Sequence, residues 1–177
     1  MKPIKWALVL LSISAIAALF GAGWQRWRQS QGIDTEYWQA GEVIDGDTFT
    51  VQQGQTAETI RLCGIDAPES EQPLGTEAEA LVRSLVEGEE VGIVPVERDR
   101  HGRQVAEVFV SGGGEEETFV QQELLMAGLA YVYPEYVEGC PNGESMRMAE
   151  AIAQENKVGV WSGNHQRPWE YRRAQRE

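Results

Sequence analysis

The chain has 177 residues, which suits one folded domain with appended ends. Apolar residues make up 42% and charged residues 24%, ordinary globular usage that excludes a disordered chain. The formal charge of −13 excludes a broad basic surface, so any dealings with a polyanion require a local reversal of the field.

Trp6 to Gly23 carries no charge, with Lys2 and Lys5 before it and Arg26 and Arg28 after it. It reads as a signal peptide or an N-terminal membrane anchor, the segment 1–23. Ala15-Ile16-Ala17 and Gly21-Ala22-Gly23 loosely fit cleavage sites, and the run sits at the ~18-residue limit for an uncleaved span. A buried core helix fits less well, because nothing polar gives the run a solvent face. Either reading places the body outside the cytoplasm: secreted, periplasmic or anchored. Without the first 23 residues the body carries 13 basic and 28 acidic residues, a net −15.

Residues 24–40 mix Gln, Ser, Arg and Trp without a period and read as a linker. A folded domain is expected over 41–163. Strands are predicted at Glu42 to Gln52, Thr59 to Ile65, Val91 to Glu97 and Gln104 to Val110, with a fifth at Ala130 to Tyr133. Helical spacing of Ala78, Leu81, Val82, Leu85 and Val86 predicts a helix opening near Gly75. A second helix is predicted from Thr118 to Ala127, stopped by Gly128, and a third from Ser145 to Asn156 with Met148 and Ile152 on one face. Ser111 to Glu117 reads as an exposed hairpin turn. These elements predict an α+β, mainly β domain: a five-stranded OB-type Greek-key barrel with about three helices. Trp161 is expected to close the barrel end. Residues 164–177, with His165, Trp169 and several arginines, read as a polar C-terminal tail, solvated or weakly membrane-associated rather than part of a site.

Cys63 and Cys140 are too few and too far apart for a zinc cage. In an oxidising compartment they can form a disulfide; two separately buried thiols are the other reading.

Three stretches carry chemistry. In Val43-Ile44-Asp45-Gly46-Asp47-Thr48-Phe49, strand alternation puts Asp47 on the face of Phe49 and Val51, costly for a carboxylate unless it is hydrogen-bonded or holds a cation. A solvated Gly-containing turn is the bland alternative. In Arg61-Leu62-Cys63-Gly64-Ile65-Asp66-Ala67-Pro68-Glu69, Asp66 falls where the strand stops and Pro68 turns Glu69 back toward it, so two carboxylates and an arginine converge. Hard oxygen donors suit Ca²⁺ or Mg²⁺ rather than zinc. Arg98-Asp99-Arg100-His101-Gly102-Arg103 reads as a hairpin tip whose arginines can grip a phosphate with paired hydrogen bonds.

VIDGDTFTV, IRLCGIDAPES, GTEA, DRHGR, GLAYVY and KVGVW together resemble the thermonuclease (staphylococcal nuclease-like) family from Gly41 to Trp161. The resemblance implies a Ca²⁺-dependent phosphodiesterase, an endonuclease of low sequence specificity on DNA and RNA, preferably single-stranded, releasing a 5′-hydroxyl and leaving 3′-phosphate. It makes Asp47, Asp66 and the main-chain carbonyl of Ala67 the calcium ligands. Ala67 stands where staphylococcal nuclease has threonine, but the contact there is through the main chain. Arg61, Glu69 and Arg103 fall on catalytic positions, Glu69 as general base and the arginines stabilising the transition state. Arg100, His101, Tyr131 and Tyr133 lie near substrate-holding positions. A monomer is expected, touching a membrane only if the first segment stays uncleaved. A non-catalytic binding module would be expected to lose the acid and arginine positions, and all five are present. An oligosaccharide-binding barrel suits the acidity but leaves their convergence unexplained.

Overall fold

Alternating apolar residues on either side of Gly46 build the first hairpin. In the computed structural model, which describes residues 34–111 and 117–176, β1 (Glu36–Asp45) buries Trp38, Ala40 and Val43, and β2 (Thr48–Gln53) buries Phe49 and Val51. They pair antiparallel, Ala40 opposite Val51 and Asp45 opposite Thr48, and a bulge between Ala40 and Val43 keeps both apolar sets facing inward. The run expected as one strand, Glu42 to Gln52, is therefore two. A Cβ on Gly46 would lie 2.7 Å from the methyl carbons of both Ala67 and Ala78, so only glycine lets this turn sit so close to its neighbours.

β3 (Thr56–Leu62) pairs antiparallel with β2 and then parallel with β6 (Gln104–Ser111), Ile60 opposite Gln104 and Leu62 opposite Ala106. β5 (Glu90–Arg98) pairs antiparallel with both β1 and β6. The order β3-β2-β1-β5-β6 closes on β3, giving a five-stranded mixed barrel of the OB type in an α+β fold. β7 (Glu117–Phe119) adds to the outer edge of β6, where Phe119 stacks on Phe109 at 4.9 Å.

The fifth barrel strand is not the one expected. Ala130 to Tyr133 yields β8 (Tyr131–Val132), which pairs with β4 (Ile65–Asp66) in a separate two-stranded sheet. β1 takes the place in the barrel, and it begins at Glu36, inside the stretch 24–40 expected as a linker. Trp38 and Ala40 already alternate into the core there, although their neighbours are polar.

α1 (Gly75–Val86) buries Ala78, Val82 and Val86 as the spacing predicts. α2 (Val120–Met126) starts later than expected, because Thr118 and Phe119 are spent pairing with β6. α3 (Gly143–Asn156) turns Met146, Ala149 and Ala153 inward, while Met148 and Ile152 share its exposed side. α4 (Pro168–Ala174) is a fourth helix, formed within the expected tail. Among the described residues no helix is long and apolar enough to cross a membrane. The segment 1–23, the linker as far as residue 33 and residues 112–116 of the expected turn lie outside the described residues.

Cys63, at the end of β3, is bridged to Cys140, just ahead of α3; their Cα atoms are 6.1 Å apart and 77 residues separate them in sequence. A Cβ on Gly64, which has φ 72, would meet the Cys140 sulfur at 2.8 Å, so glycine is required next to the bridge. For a loop of this length the chain-entropy contribution is about 4 kcal/mol. Replacing both cysteines (Cys63→Ala with Cys140→Ala) should lower the urea-unfolding free energy by about that amount, and a loss under about 1 kcal/mol would mean that packing alone ties the two segments.

Candidate active site

Three acids meet where β1, β2, β3 and β4 end. Asp45 closes β1, Asp47 follows Gly46, and Asp66 closes β4; Asp66 is completely buried and Asp47 is 6% exposed. Both oxygens of Asp47 and of Asp66, and one of Asp45, are engaged. Asp45 Oδ1 accepts the Asp47 N–H (2.9 Å), Asp47 Oδ1 accepts the Thr48 hydroxyl (3.1 Å), and Asp47 Oδ2 accepts the Ala67 N–H (2.8 Å). Arg61, near the end of β3, lies between the two buried aspartates, with Nη1 2.9 Å from Asp47 Oδ2 and Nη2 2.8 Å from Asp66 Oδ1. Buried carboxylates survive only with such counter-charges.

The compensation is incomplete. Burial pushes the Asp45 carboxyl up to about 6, helped by the charge of Asp47. Burial likewise pushes Asp66 up to about 6 against the opposing hydrogen bonds from Arg172, and Asp47 adds to the rise. Such carboxyls seek a further cation. Among the described residues no three acidic, histidine or cysteine side chains form a metal cage by themselves. The donor set of Asp47 and Asp66, completed by main-chain oxygen, fits a hard divalent ion in its chemistry: every donor is oxygen, and the cluster is short of positive charge.

Glu69 is set by the turn after β4. Its N–H donates to Gln72 Oε1 (3.0 Å), and the Gln72 amide donates to the carbonyl of Gln166 (2.9 Å), so the turn is tied to the chain entering α4. From α4, Arg172 donates from Nη2 to Asp66 Oδ2 (2.7 Å) and from Nη1 to both Asp66 Oδ1 (3.1 Å) and Glu69 (2.6 Å). One guanidinium thus links Glu69 to the buried aspartates.

The opposite wall is the β5–β6 hairpin tip. Asp99 Oδ1 accepts the N–H groups of His101 (2.8 Å) and Arg103 (3.0 Å), and its Oδ2 accepts Arg103 Nε (2.7 Å). Burial acts to raise Asp99, but these bonds hold its carboxyl below the usual range. Arg103 is oriented through Nε alone, and among the described residues its terminal nitrogens have no hydrogen-bond partner. Arg100 and His101 are exposed, with Arg100 Nε 3.1 Å from His101 Nε2.

A cleft of about 890 Å³ runs between these walls, lined by Arg61, Glu69, Arg103, Arg100, His101 and Tyr133 among others. Tyr131 is not among them. It is 1% exposed, its hydroxyl is buried without a partner, and its ring meets Trp161 (5.1 Å) and Trp169 (5.9 Å) edge-on. Trp161, Trp169 and Arg167 cover its ring and keep it out of the cleft lining, unlike the substrate-holding residue expected. Tyr133 does line the cleft, but Trp169 stacks flat on it at 5.1 Å.

The expectation that residues 164–177 stand apart from the site is corrected most directly, since Trp169, Arg172, Arg173 and Arg176 all line the cleft. A signal was present. These four recur at i, i+3, i+4 and i+7, which puts them on one face of a helix. The stretch shows no apolar period, so it passes for a tail.

The raised Asp45 carboxyl has a pH signature. A folded-state value above the unfolded one means that its contribution to stability is complete below pH 3.8 and is lost as pH rises through about 6. Asp45→Asn should therefore raise the thermal midpoint of the chelator-treated protein little near pH 4 and most above pH 6. Melting curves of both proteins across this range would contradict the assignment if the gain were constant.

The family model for staphylococcal nuclease homologues matches residues 59–163. The chain is 31% identical to a micrococcal nuclease of Shigella flexneri over 97% of both chains. It is 34% identical to an uncharacterized endonuclease of Escherichia coli O157:H7, over 73% of this chain and 80% of that one. It is 36% identical to the probable staphylococcal-like nuclease CAN1 of Oryza sativa subsp. japonica, over 66% of this chain and 33% of that longer protein. This chain belongs to the staphylococcal nuclease family and is a nuclease.

Proposed function

We propose that the enzyme cleaves DNA and RNA with Ca²⁺, at low sequence specificity, leaving 3′-phosphate ends. The observation that carries this reading is the contact of Arg61 with two buried aspartates on a cleft floor, with Glu69 joined to them.

Asp47, Asp66 and the Ala67 main-chain carbonyl would hold the ion. When bound it supplies Lewis-acid polarisation of a phosphoryl oxygen, a role worth several kcal/mol of transition-state stabilisation. Glu69 accepts a proton from the attacking water, and Arg172 keeps its carboxylate turned toward the floor. Arg61 and Arg103 approach the phosphoryl group from the floor and the hairpin wall. In-line attack builds charge on the phosphoryl oxygens, so these guanidiniums bind the transition state more tightly than the substrate. Contacts to phosphate carry no base information, which accounts for low sequence specificity. The acids lie at the bottom of a cleft, and a single strand bends into such a cleft more readily than a duplex. One copy supplies acids, arginines and cleft walls, so catalysis by a monomer needs no residue from a second chain.

The uncharged stretch Trp6 to Gly23 and the Cys63–Cys140 bridge support a location outside the cytoplasm, whether secreted, periplasmic or membrane-anchored.

The purified chain should degrade denatured DNA when Ca²⁺ is supplied and stop when it is chelated. Glu69→Gln and Arg103→Ala should each lose about 100-fold or more in kcat/KM with unchanged circular dichroism. If both variants digest DNA as fast as the parent, these roles are wrong.

A further inference from the structure

The family match ends at residue 163, and the cleft does not. α4 lies beyond that match and supplies one wall. Its inner contacts fix it in place: Pro168 is buried, Trp169 stacks on Tyr133 at 5.1 Å, and Arg172 binds Asp66 and Glu69. Just ahead of the helix, the Arg167 guanidinium lies 4.3 Å above the Tyr131 ring and 4.7 Å above the Trp161 ring. With Trp169 and Arg172 facing inward, Arg173 in the last turn of α4 and Arg176 just past its end line the cleft beside them.

These two arginines differ from the others near them. Among the described residues, Arg61, Arg103 and Arg172 are each paired with a carboxylate, whereas Arg173 and Arg176 form no ion pair. Arg100, on the facing hairpin wall, likewise has no carboxylate partner there. In a body of net −15 most cations have an acid to meet, so exposed guanidiniums left over at one cleft mouth mark a place for an external anion. Arg173 lies in the last turn of α4 and Arg176 just past its end, where its Nε donates to the Arg172 carbonyl (3.1 Å) and leaves its terminal nitrogens unpaired among the described residues; both side chains are long enough to reach a phosphate.

We propose that α4 and the turn that follows it form a strand-gripping wall of the nuclease cleft, in which Arg173 and Arg176 hold the backbone of a single-stranded substrate opposite Arg100. The inference rests on the nuclease reading and extends it to residues outside the family domain. It also accounts for how so acidic a body retains a polyanion: the grip is local and sits on the rim of the site it serves.

The test is binding without cleavage. In EDTA, the anisotropy of a fluorescein-labelled oligothymidylate is titrated with the parent chain, with Arg173→Ala/Arg176→Ala, and with Arg83→Ala/Arg147→Ala, which removes equal charge away from the cleft. The α4 double variant should bind about tenfold more weakly at low salt, and its log–log salt slope should be shallower by about 1.4, the value for two lost single-strand phosphate contacts. The control should keep the parental slope, and circular dichroism should show all three folded. Parental affinity and slope in the α4 variant, while the parent both binds and cleaves, would overturn the role of α4 and leave the nuclease reading intact. A parent that neither binds the oligonucleotide nor cleaves DNA with Ca²⁺ would overturn both.

Discussion

Arg61 sitting between Asp47 and Asp66 is the interaction on which the rest of the molecule depends. Two carboxylates withdrawn from water repel one another and each costs several kcal/mol to desolvate; a guanidinium shared at 2.9 and 2.8 Å offsets much of that cost. Because Arg61 projects from β3, the strand that closes the barrel against β6, the acid pair exists only where the barrel is closed. Fold and site are therefore one problem: the cluster punishes an open barrel with unpaired buried charge, and the barrel brings residues 47, 61 and 66 to one point.

The body's charge of −15 is the main objection to a nuclease, and the cleft answers it locally. Its guanidiniums come from three separate places, β3, the β5–β6 hairpin and α4. Field lines inside a low-dielectric cleft are dominated by its own walls, so a distant acidic surface lowers the rate of approach more than the strength of the grip. The raised Asp45 and Asp66 carboxyls mark where positive charge is still short, at the floor where the ion would bind.

Much of this was legible in the residues. The barrel class, the convergence of Asp47, Asp66 and Arg61, and the hairpin carrying Arg103 all follow from alternation, from Pro68 and from the Gly-flanked acids. Other features were hidden for identifiable reasons. The alternation of Val43, Phe49 and Val51 continues across the Asp45–Asp47 turn, so two strands read as one. Tyr131 has the composition of a cleft residue, and only the tertiary packing of Trp161, Trp169 and Arg167 over its ring takes it out of the cleft lining. α4 is hidden best, because a short polar helix has no hydrophobic stripe and owes its order to tertiary contacts such as Trp169 on Tyr133.

The Cys63–Cys140 bridge also decides what a protease can remove. Asp66, Glu69 and Arg103 all lie inside the covalent ring it closes, together with the exposed hairpin tip at His101. A single backbone cut anywhere in that ring releases nothing: the two pieces stay joined through sulfur, held in register by the barrel strands. In a medium rich in proteases, a nicked molecule of this design keeps its reactive groups on one covalent body.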